Sequence, residues 1–465
     1  MRSRHALLPV ALPLVVAALV AGPSHPASAS GAFGTGTAGF AISSAPSGLH
    51  DVDLAGEPSV GLDWRNGSGL FMAATATYRL AFDSATGAVS WTDASAYRGL
   101  VQNVDPILVT EPRSGITLAG GDTGPCSAMF SSTDDGTTWL PSVPCTGTYD
   151  HPTVGWSPSA KTPGSTVFYY CQQGPAVQQC QTSTTGGLAW TPSGPLVEPA
   201  TPTASAFVPH TCISVFGHLR GSADGTAYLP GRDCFKQDGS GGVGGMRTSD
   251  DGTTWSQYLI PGATDAIFDP AIATTSDNTL YEAWQNAADN HPLIAVSHDH
   301  GSTWCTPIDL ASTVSGGLVA ATFPTLTAGD SGRIAYSFLG TSVGTGAPNA
   351  DGFHGVWYLY TAYSYDGGAT WTTVRDTPNP VQYGFINGGG VGTTNQRNLL
   401  DFIESAVTKD GRVVVSFATG CLADCVAAGA AGNQAGAEAL SGTHAWATVA
   451  YQISGKGLFA AYDSP

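Results

Sequence analysis

The chain has 465 residues and a formal net charge of −18 at pH 7, although only 11% of its residues are charged. So acidic a protein is unsuited to nucleic acid and to anionic membranes, which excludes both as expected partners. Its 60 glycines and 30 prolines are typical of a turn-rich, all-β protein.

The first residues have the pattern of a targeting segment. Arg2 and Arg4 precede an apolar run over residues 7–20, and residues 27–29, Ala-Ser-Ala, form a small-x-small cleavage site. This pattern is typical of a secretory signal peptide, and the apolar run is short for a membrane-spanning helix. We therefore expect residues 1–29 to be a signal peptide, the protein to be secreted and extracellular, and no transmembrane anchor to remain.

Six later segments each end a polar turn with a tryptophan. Four of them read S/T-x-D-x-G-x-T-W, and two degenerate copies keep the first serine and the last tryptophan. The Asp side chain accepts hydrogen bonds from the backbone of such a turn, and the Gly two positions later takes a positive φ that other residues avoid. These tryptophan turns cover residues 84–91, 132–139, 183–190, 248–255, 297–304 and 364–371.

The pattern resembles the Asp-box, or BNR repeat, of sialidases and related β-propellers. The six tryptophans lie 48, 51, 65, 49 and 67 residues apart, close to the length of one propeller blade. We expect an all-β, seven-bladed β-propeller over residues 51–465, with six blades as the alternative because sialidase catalytic domains have six. Residues 30–50 supply either a closing strand or an N-terminal lead. The seven units begin at Glu57, Asp105, Asp150, His210, Asp269, Phe323 and Asp401.

The resemblance also implies which residues are structural. In Asp-box propellers the box joins the third and fourth strands of a blade, on the face away from the ligand pocket. The turn between the first two strands shares that face, so we expect its arginines to be solvated rather than to bind ligand. These arginines are Arg65, Arg113, Arg220, Arg333 and Arg412.

Pocket-facing residues are expected at the entry to each innermost strand and in the loops between second and third strands. Carboxylates that converge on one axis raise one another's pKa or attract a cation, which places a proton donor beside an ionised partner. A structural role is the alternative, because Asp before Pro also caps the start of a strand. The candidate catalytic residues are Asp105, Asp150, Asp269, Asp401, Glu404 and Tyr383, and the candidate substrate-binding residues are His151, His210, Arg232 and Arg397.

The chain departs from the sialidase pattern in its chemistry. The Phe-Arg-Ile-Pro motif and the arginine triad that binds a carboxylate are not found, and the first blade opens with Glu57-Pro58-Ser59-Val60. We expect an exo-acting glycoside hydrolase of the sialidase-like superfamily, acting on extracellular carbohydrate or glycoprotein. A non-catalytic glycan- or protein-binding propeller is the alternative, a structural propeller is a third reading, and whether the chain is an enzyme stays open. We expect a monomer without cofactor or metal, since no Cys/His cluster has zinc spacing.

All nine cysteines lie beyond the signal segment, which suits an oxidising compartment. The segment 418–444 consists largely of Ala and Gly, and we expect a mobile lid or a disordered flap there. Pairing within single blades or loops predicts four disulfides, with Cys305 free: Cys126–Cys145, Cys171–Cys180, Cys212–Cys234 and Cys421–Cys425.

Overall fold

The computed structural model describes most of the chain beyond the signal segment. The signal segment and the candidates His210 and Arg397 lie outside the described residues, as does the side chain of Asp150. The described residues are 36–95, 104–147, 150–174, 177–196, 212, 216–234, 241–386 and 398–463.

The strands form seven antiparallel sheets, each numbered here as one blade from its innermost strand outward. Blade 1 consists of β2 Ser59–Leu62, β3 Ser68–Ala73, β4 Ala76–Phe82 and β5 Val89–Asp93; blade 2 of β6 Val104–Glu111, β7 Ile116–Asp122, β8 Ser127–Ser132 and β9 Leu140–Ser142; blade 3 of β10 Asp150–Pro158, β11 Thr166–Gly174, β12 Val177–Ser183 and β13 Thr191–Pro192. Blade 4 consists of β14 Arg220–Gly221, β15 Ala227–Gly231, β16 Gly244–Thr248 and β17 Ser256–Leu259; blade 5 of β18 Ala271–Thr274, β19 Leu280–Gln285, β20 Pro292–Ser297 and β21 Ile308–Asp309. Blade 6 consists of β22 Ala320–Ala328, β23 Ile334–Thr341, β24 Val356–Ser364 and β25 Thr372–Arg375, with β26 Gln382–Tyr383 added to β24; blade 7 of β27 Glu404–Val407, β28 Val413–Thr419, β29 Trp446–Ser454 and β1 Gly39–Ser44.

The innermost strands close a ring around one axis. Each of β2, β6, β10, β14, β18 and β22 contacts the innermost strand of the next blade, and β27 of blade 7 contacts β2 of blade 1. The protein is therefore a seven-bladed β-propeller, which confirms the expected count over the six-bladed alternative. Among the described residues, no helix is long and apolar enough to cross a membrane.

The ring is closed by the N-terminal strand. β1 lies on the outside of blade 7 and pairs antiparallel with β29, with Phe40 opposite Gln452 and Ser44 opposite Thr448. One blade thus combines a strand from the N-terminal side with three from the C-terminal side, and this shared blade closes the ring.

The tryptophan turns join the third and fourth strands of blades 1 to 6, and their hydrogen bonds explain their sequence. In blade 2, Asp134 Oδ1 accepts from the Thr138 N–H at 2.9 Å, and Oδ2 accepts from the Thr138 hydroxyl at 2.7 Å. The Ser132 hydroxyl accepts from the Gly136 N–H at 2.9 Å. The same pairs recur as Asp250 with Thr254, Asp299 with Thr303, and Asp366 with Thr370.

These turns also join neighbouring blades. The indole N–H of Trp139 donates to the Ala94 carbonyl of blade 1 at 2.8 Å, and that of Trp190 donates to the Ser142 hydroxyl of blade 2 at 3.1 Å. In blades 2, 4 and 5 the residue after the turn Asp has a positive φ and contacts the first turn of the preceding blade. In blade 4 this residue is Asp251, whose carboxylate accepts from the Ala160 N–H of blade 3 at 2.8 Å. The repeat is therefore a connection between blades as well as a turn.

The four expected disulfides are present, which confirms the predicted pairing. They are Cys126–Cys145, Cys171–Cys180, Cys212–Cys234 and Cys421–Cys425, and Cys305 is free. Cys171 and Cys180 face each other on β11 and β12, so this bond lies within one hairpin.

The expectation of a disordered flap over 418–444 is wrong, whereas that of a mobile lid stays a prediction. The segment between β28 and β29 forms a helical hairpin of α1 Ala423–Ala430 and α2 Gln434–Ser441, and the Asn433 side chain caps α2 by accepting from the Gly436 N–H at 3.1 Å. Alanine is the strongest helix former, so an Ala-rich segment favours helices, although its composition resembles that of a flexible loop.

The expectation of solvated arginines is also wrong at several positions. Arg412 is buried, donates to Asp410 at 3.0 Å and packs over the ring of Tyr451. Arg333 pairs with Asp463 at 2.7 Å. Each guanidinium spans a junction in or beside blade 7, where it replaces contacts that a tryptophan turn makes elsewhere.

We expect Asp134→Ala to lower the free energy of unfolding by ~1–2 kcal/mol, because it removes the acceptor of three turn hydrogen bonds, one from the Ser132 hydroxyl and two from Thr138. The measurement is the urea-unfolding curve of the variant against wild type. Thr133→Ala, at an exposed position of the same turn, is the matched control and should change little. Equal effects of the two substitutions would contradict this account of the turn.

Candidate functional site

Four of the predicted residues meet where the innermost strands begin. His151 of blade 3 places Nδ1 3.4 Å from Asp269 Oδ2 at the entry to blade 5, and Nε2 3.8 Å from Asp401 Oδ2 at the entry to blade 7. Asp105, at the entry to blade 2, is close enough to act electrostatically on the same imidazole. We call Asp105, His151, Asp269 and Asp401 the axial group.

The charges of the axial group favour a protonated histidine. Burial by itself lowers the pKa of His151, but the negative charges of Asp269, Asp401 and Asp105 outweigh burial and raise it well above the usual range. The side chain of His151 is 17% exposed, so water has limited access to the imidazole. The arrangement therefore holds a proton on an imidazole between carboxylates at neutral pH.

The backbone that presents these residues is strained in a repeated way. A residue before proline normally adopts an extended conformation, yet four such residues at the innermost-strand entries have positive φ. Strained backbone of this kind persists only where the surrounding structure enforces it, and it is frequent at functional sites. The four are Glu57, Asp105, His151 and Phe323, with φ of 56°, 55°, 49° and 57°.

A second charged group crosses the axis next to the axial group. Glu404 of blade 7 contacts His218 Nδ1 through one carboxylate oxygen and accepts from Arg220 Nη2 through the other, and both partners belong to blade 4 on the opposite side of the ring. Burial raises the pKa of Glu404, but Arg220 and His218 lower it to about 2 in total. We call Glu404, His218 and Arg220 the axial clamp.

The axial clamp corrects the expectation for Arg220. The innermost strand of blade 4 was placed from His210 onward, which left Arg220 in an outer turn, whereas the strand contains Arg220 itself. His218 was not predicted as a site residue at all. Its signal in the sequence was its spacing, because residues two apart in an extended segment point to the same side.

A narrow cleft adjoins both groups. Its volume is about 20 Å³, well below the ~300–1,000 Å³ typical of small-molecule sites. Its polar lining includes His218, Arg220, Asp269 and Glu404.

Two other candidates lie elsewhere. Tyr383 lies in β26, against the third strand of blade 6, and packs with Cys421 and Cys425 beneath the helical hairpin. The hairpin covers its phenol, so the structure does not bring Tyr383 into the axial group with the other catalytic candidates. Arg232 donates to the Ile267 carbonyl, two residues before Asp269, and so supports the entry of blade 5.

Asp150 begins β10, directly before His151. Among the residues that the structure describes, no three or more His, Cys, Asp or Glu side chains are arranged to hold a metal ion.

No protein-family profile matches the sequence, and neither does any curated protein. Among solved structures, a Dyadobacter fermentans protein of unknown function is 14% identical, covering 87% of this chain and 95% of its own, with a TM-score of 0.43. A Hadza microbial sialidase is 13% identical over 87% of this chain and 74% of its own, with a TM-score of 0.44. A Penicillium chrysogenum alpha-L-arabinanase complexed with arabinobiose is 12% identical over 91% and 98%, with a TM-score of 0.41.

The axial clamp predicts a specific dependence of stability on pH. Because the pKa of Glu404 is lowered from 4.5 to about 2, its ion pairs stabilise the fold fully above pH 4.5 and lose that effect as the pH falls towards 2. We expect the difference in unfolding free energy between wild type and Glu404→Gln to shrink over this interval by on the order of 3 kcal/mol. Urea unfolding of both proteins at several pH values measures it. A difference that stays constant from neutral pH to pH 2 would rule out the clamp.

Proposed function

We propose that the protein is a secreted, exo-acting glycoside hydrolase whose reacting centre is the axial group. The observation that carries the proposal is the pair of carboxylates, Asp269 and Asp401, on the two sides of one protonated imidazole. Glycoside hydrolysis requires a proton donor for the leaving oxygen and a carboxylate that stabilises the positively charged transition state. The axial group contains both.

The roles within the site follow from charge. His151 carries the available proton and donates it to the leaving oxygen of the glycosidic bond. The carboxylate of Asp269 or of Asp401 stabilises the oxocarbenium-like carbon and directs the water or the covalent attack. His151 lies 3.4 Å from Asp269 and 3.8 Å from Asp401, so the proton donor and a stabilising carboxylate can contact the same glycosidic bond.

The axial clamp supports exo-action. Glu404, His218 and Arg220 cross from blade 7 to blade 4 and occupy the channel beside the axial group. A long sugar chain therefore has no route along the axis past this point, and the site accepts a chain end from the strand-entry side. The clamp itself holds Glu404 ionised, so Glu404 acts as a positioning residue and not as the acid.

The cellular location and the substrate class follow from the composition. Four disulfides require an oxidising compartment, which agrees with a signal peptide over residues 1–29 and an extracellular substrate. The net charge of −18 repels polyanions and favours glycans without strong negative charge.

Glycan binding without turnover is the second candidate function. It is favoured by the small volume of the axial cleft, about 20 Å³, which leaves little room for a complete sugar ring below the surface. In this case the same carboxylates accept hydrogen bonds from the hydroxyls of a sugar at the mouth of the channel.

We expect Asp269→Asn and Asp401→Asn each to reduce turnover of chromogenic glycosides by ~10²–10⁴-fold while the melting temperature stays within a few degrees. Asp424→Asn, at an exposed site in the first turn of α1, is the control and should retain full activity. If no glycoside is turned over but both axial variants lose binding on a glycan array, the second candidate is supported. If neither turnover nor binding changes, the axial group is not the site.

A further inference from the structure

A second cavity, separate from the axis, lies between blades 4 and 5. Its volume is about 500 Å³, within the ~300–1,000 Å³ typical of small-molecule sites. Its walls come from the first turn, the third strand and the tryptophan turn of blade 4 and from the tryptophan turn of blade 5. We call it the interblade groove, and its polar lining includes Asp224, Arg247, Ser249, Ser256, Asp299 and His300.

Blade 5 differs from blade 4 in the residue that connects its tryptophan turn to the preceding blade. Between blades 3 and 4, the residue after the turn Asp is Asp251, which accepts from the Ala160 N–H at 2.8 Å. Blade 5 has His300 at the equivalent position. Its imidazole contacts the Tyr228 hydroxyl at 2.9 Å and stands 3.6 Å from Asp224 in the first turn of blade 4. His300 and Asp224 therefore meet at the side of the groove, and both belong to its lining.

Arg247 lies in the wall of the interblade groove and uses only part of its guanidinium for hydrogen bonds within the described part of the chain. Nε donates to the Ser256 hydroxyl at 3.2 Å, and Nη1 donates to the His300 carbonyl and, at 3.3 Å, to the Ser302 hydroxyl. Nη2 makes no hydrogen bond within the described part of the chain. The guanidinium is thus held in place from one side and retains donors for a ligand on the other.

The charges of the groove select the class of ligand. Hydrogen bonds from the Thr303 hydroxyl and N–H lower the pKa of Asp299 to about 2. Burial raises the pKa of Asp224, but donors that include the Thr226 N–H and the Ser222 hydroxyl lower it overall. Both carboxylates are ionised at neutral pH, so they repel an anionic ligand while Arg247 repels a cation. A neutral ligand with many hydroxyl groups fits both.

We propose that the interblade groove is a binding site for neutral oligosaccharides. Arg247 Nη2 donates to sugar oxygens, and the carboxylates and hydroxyls of the lining accept from sugar hydroxyls. The groove lies on the face of the tryptophan turns, away from the strand entries that form the axial group. It therefore binds carbohydrate whether or not the axial group hydrolyses it.

The chain contains a matched control for Arg247. Arg79 of blade 1 makes the same contacts with the next tryptophan turn, donating from Nε to the Asp135 carbonyl and from Nη2 to the Thr137 hydroxyl, both at 2.7 Å. Arg79 is not part of the groove. Arg79→Ala thus removes an equivalent connection between blades without touching the proposed site.

The test is calorimetric titration of the full chain with neutral hexasaccharides of glucose, xylose, mannose and arabinose. We expect at least one to bind with a Kd of about 1 mM or tighter, and Arg247→Ala and the groove-filling Ser249→Trp each to weaken it at least ~10-fold. Arg79→Ala should bind as wild type does, and a hexamer of galacturonic acid should not bind.

Four outcomes would overturn the proposal. They are no binding by any of the neutral hexasaccharides, binding that survives both groove variants, equal losses in Arg247→Ala and Arg79→Ala, and binding of the anionic hexamer as tight as that of the neutral ones. Loss of binding in Asp269→Asn alone would assign the ligand to the axial group instead. A failure of the proposed hydrolysis leaves all of these readouts unaffected, so the two proposals fail separately.

Discussion

Closure of the ring is the constraint on which the rest of the structure depends. The pairing of β1 with β29 joins residues near the two ends of the described chain in one sheet. Only a closed ring brings the entries of blades 2, 3, 5 and 7 to a common axis, where Asp105, His151, Asp269 and Asp401 meet. The strained backbone before proline at Asp105 and His151 is held by the same packing. The axial group is therefore a property of the whole ring, and no single blade contains it.

The two faces of the propeller have different roles. On one face, the tryptophan turns satisfy their own backbone and connect neighbouring blades, as the contacts of Trp139 and Asp251 show. On the other face, the entries of the innermost strands carry charged residues. Ion pairs between them, such as that of Glu404 with Arg220, offset the unfavourable free energy of burying each charge. We therefore expect substitutions in the tryptophan turns to change stability, and substitutions at the strand entries to change the proposed chemistry.

The repeat made the fold predictable from the sequence, and local spacing made the disulfides predictable. The site was predictable as far as blade entries were correctly located, which is why the axial group contains Asp105, His151, Asp269 and Asp401. The strand entry of blade 4 could not be located from the sequence. Its innermost strand has only two residues, Arg220–Gly221, which is too little periodicity to be recognised. The position of Tyr383 could not be predicted either. An Ala-rich segment folds into a helical hairpin that covers the phenol, and the sequence distance between Tyr383 and the other candidates gives no information about this hairpin.

His151 is held protonated between carboxylates from other blades, and an NMR titration of its imidazole can show this. We expect His151 to keep its proton well above pH ~6.5, the ordinary pKa of histidine, and Asp269→Asn to lower its pKa. A His151 that titrates near 6.5 in the wild-type protein, or that is insensitive to Asp269→Asn, would contradict it.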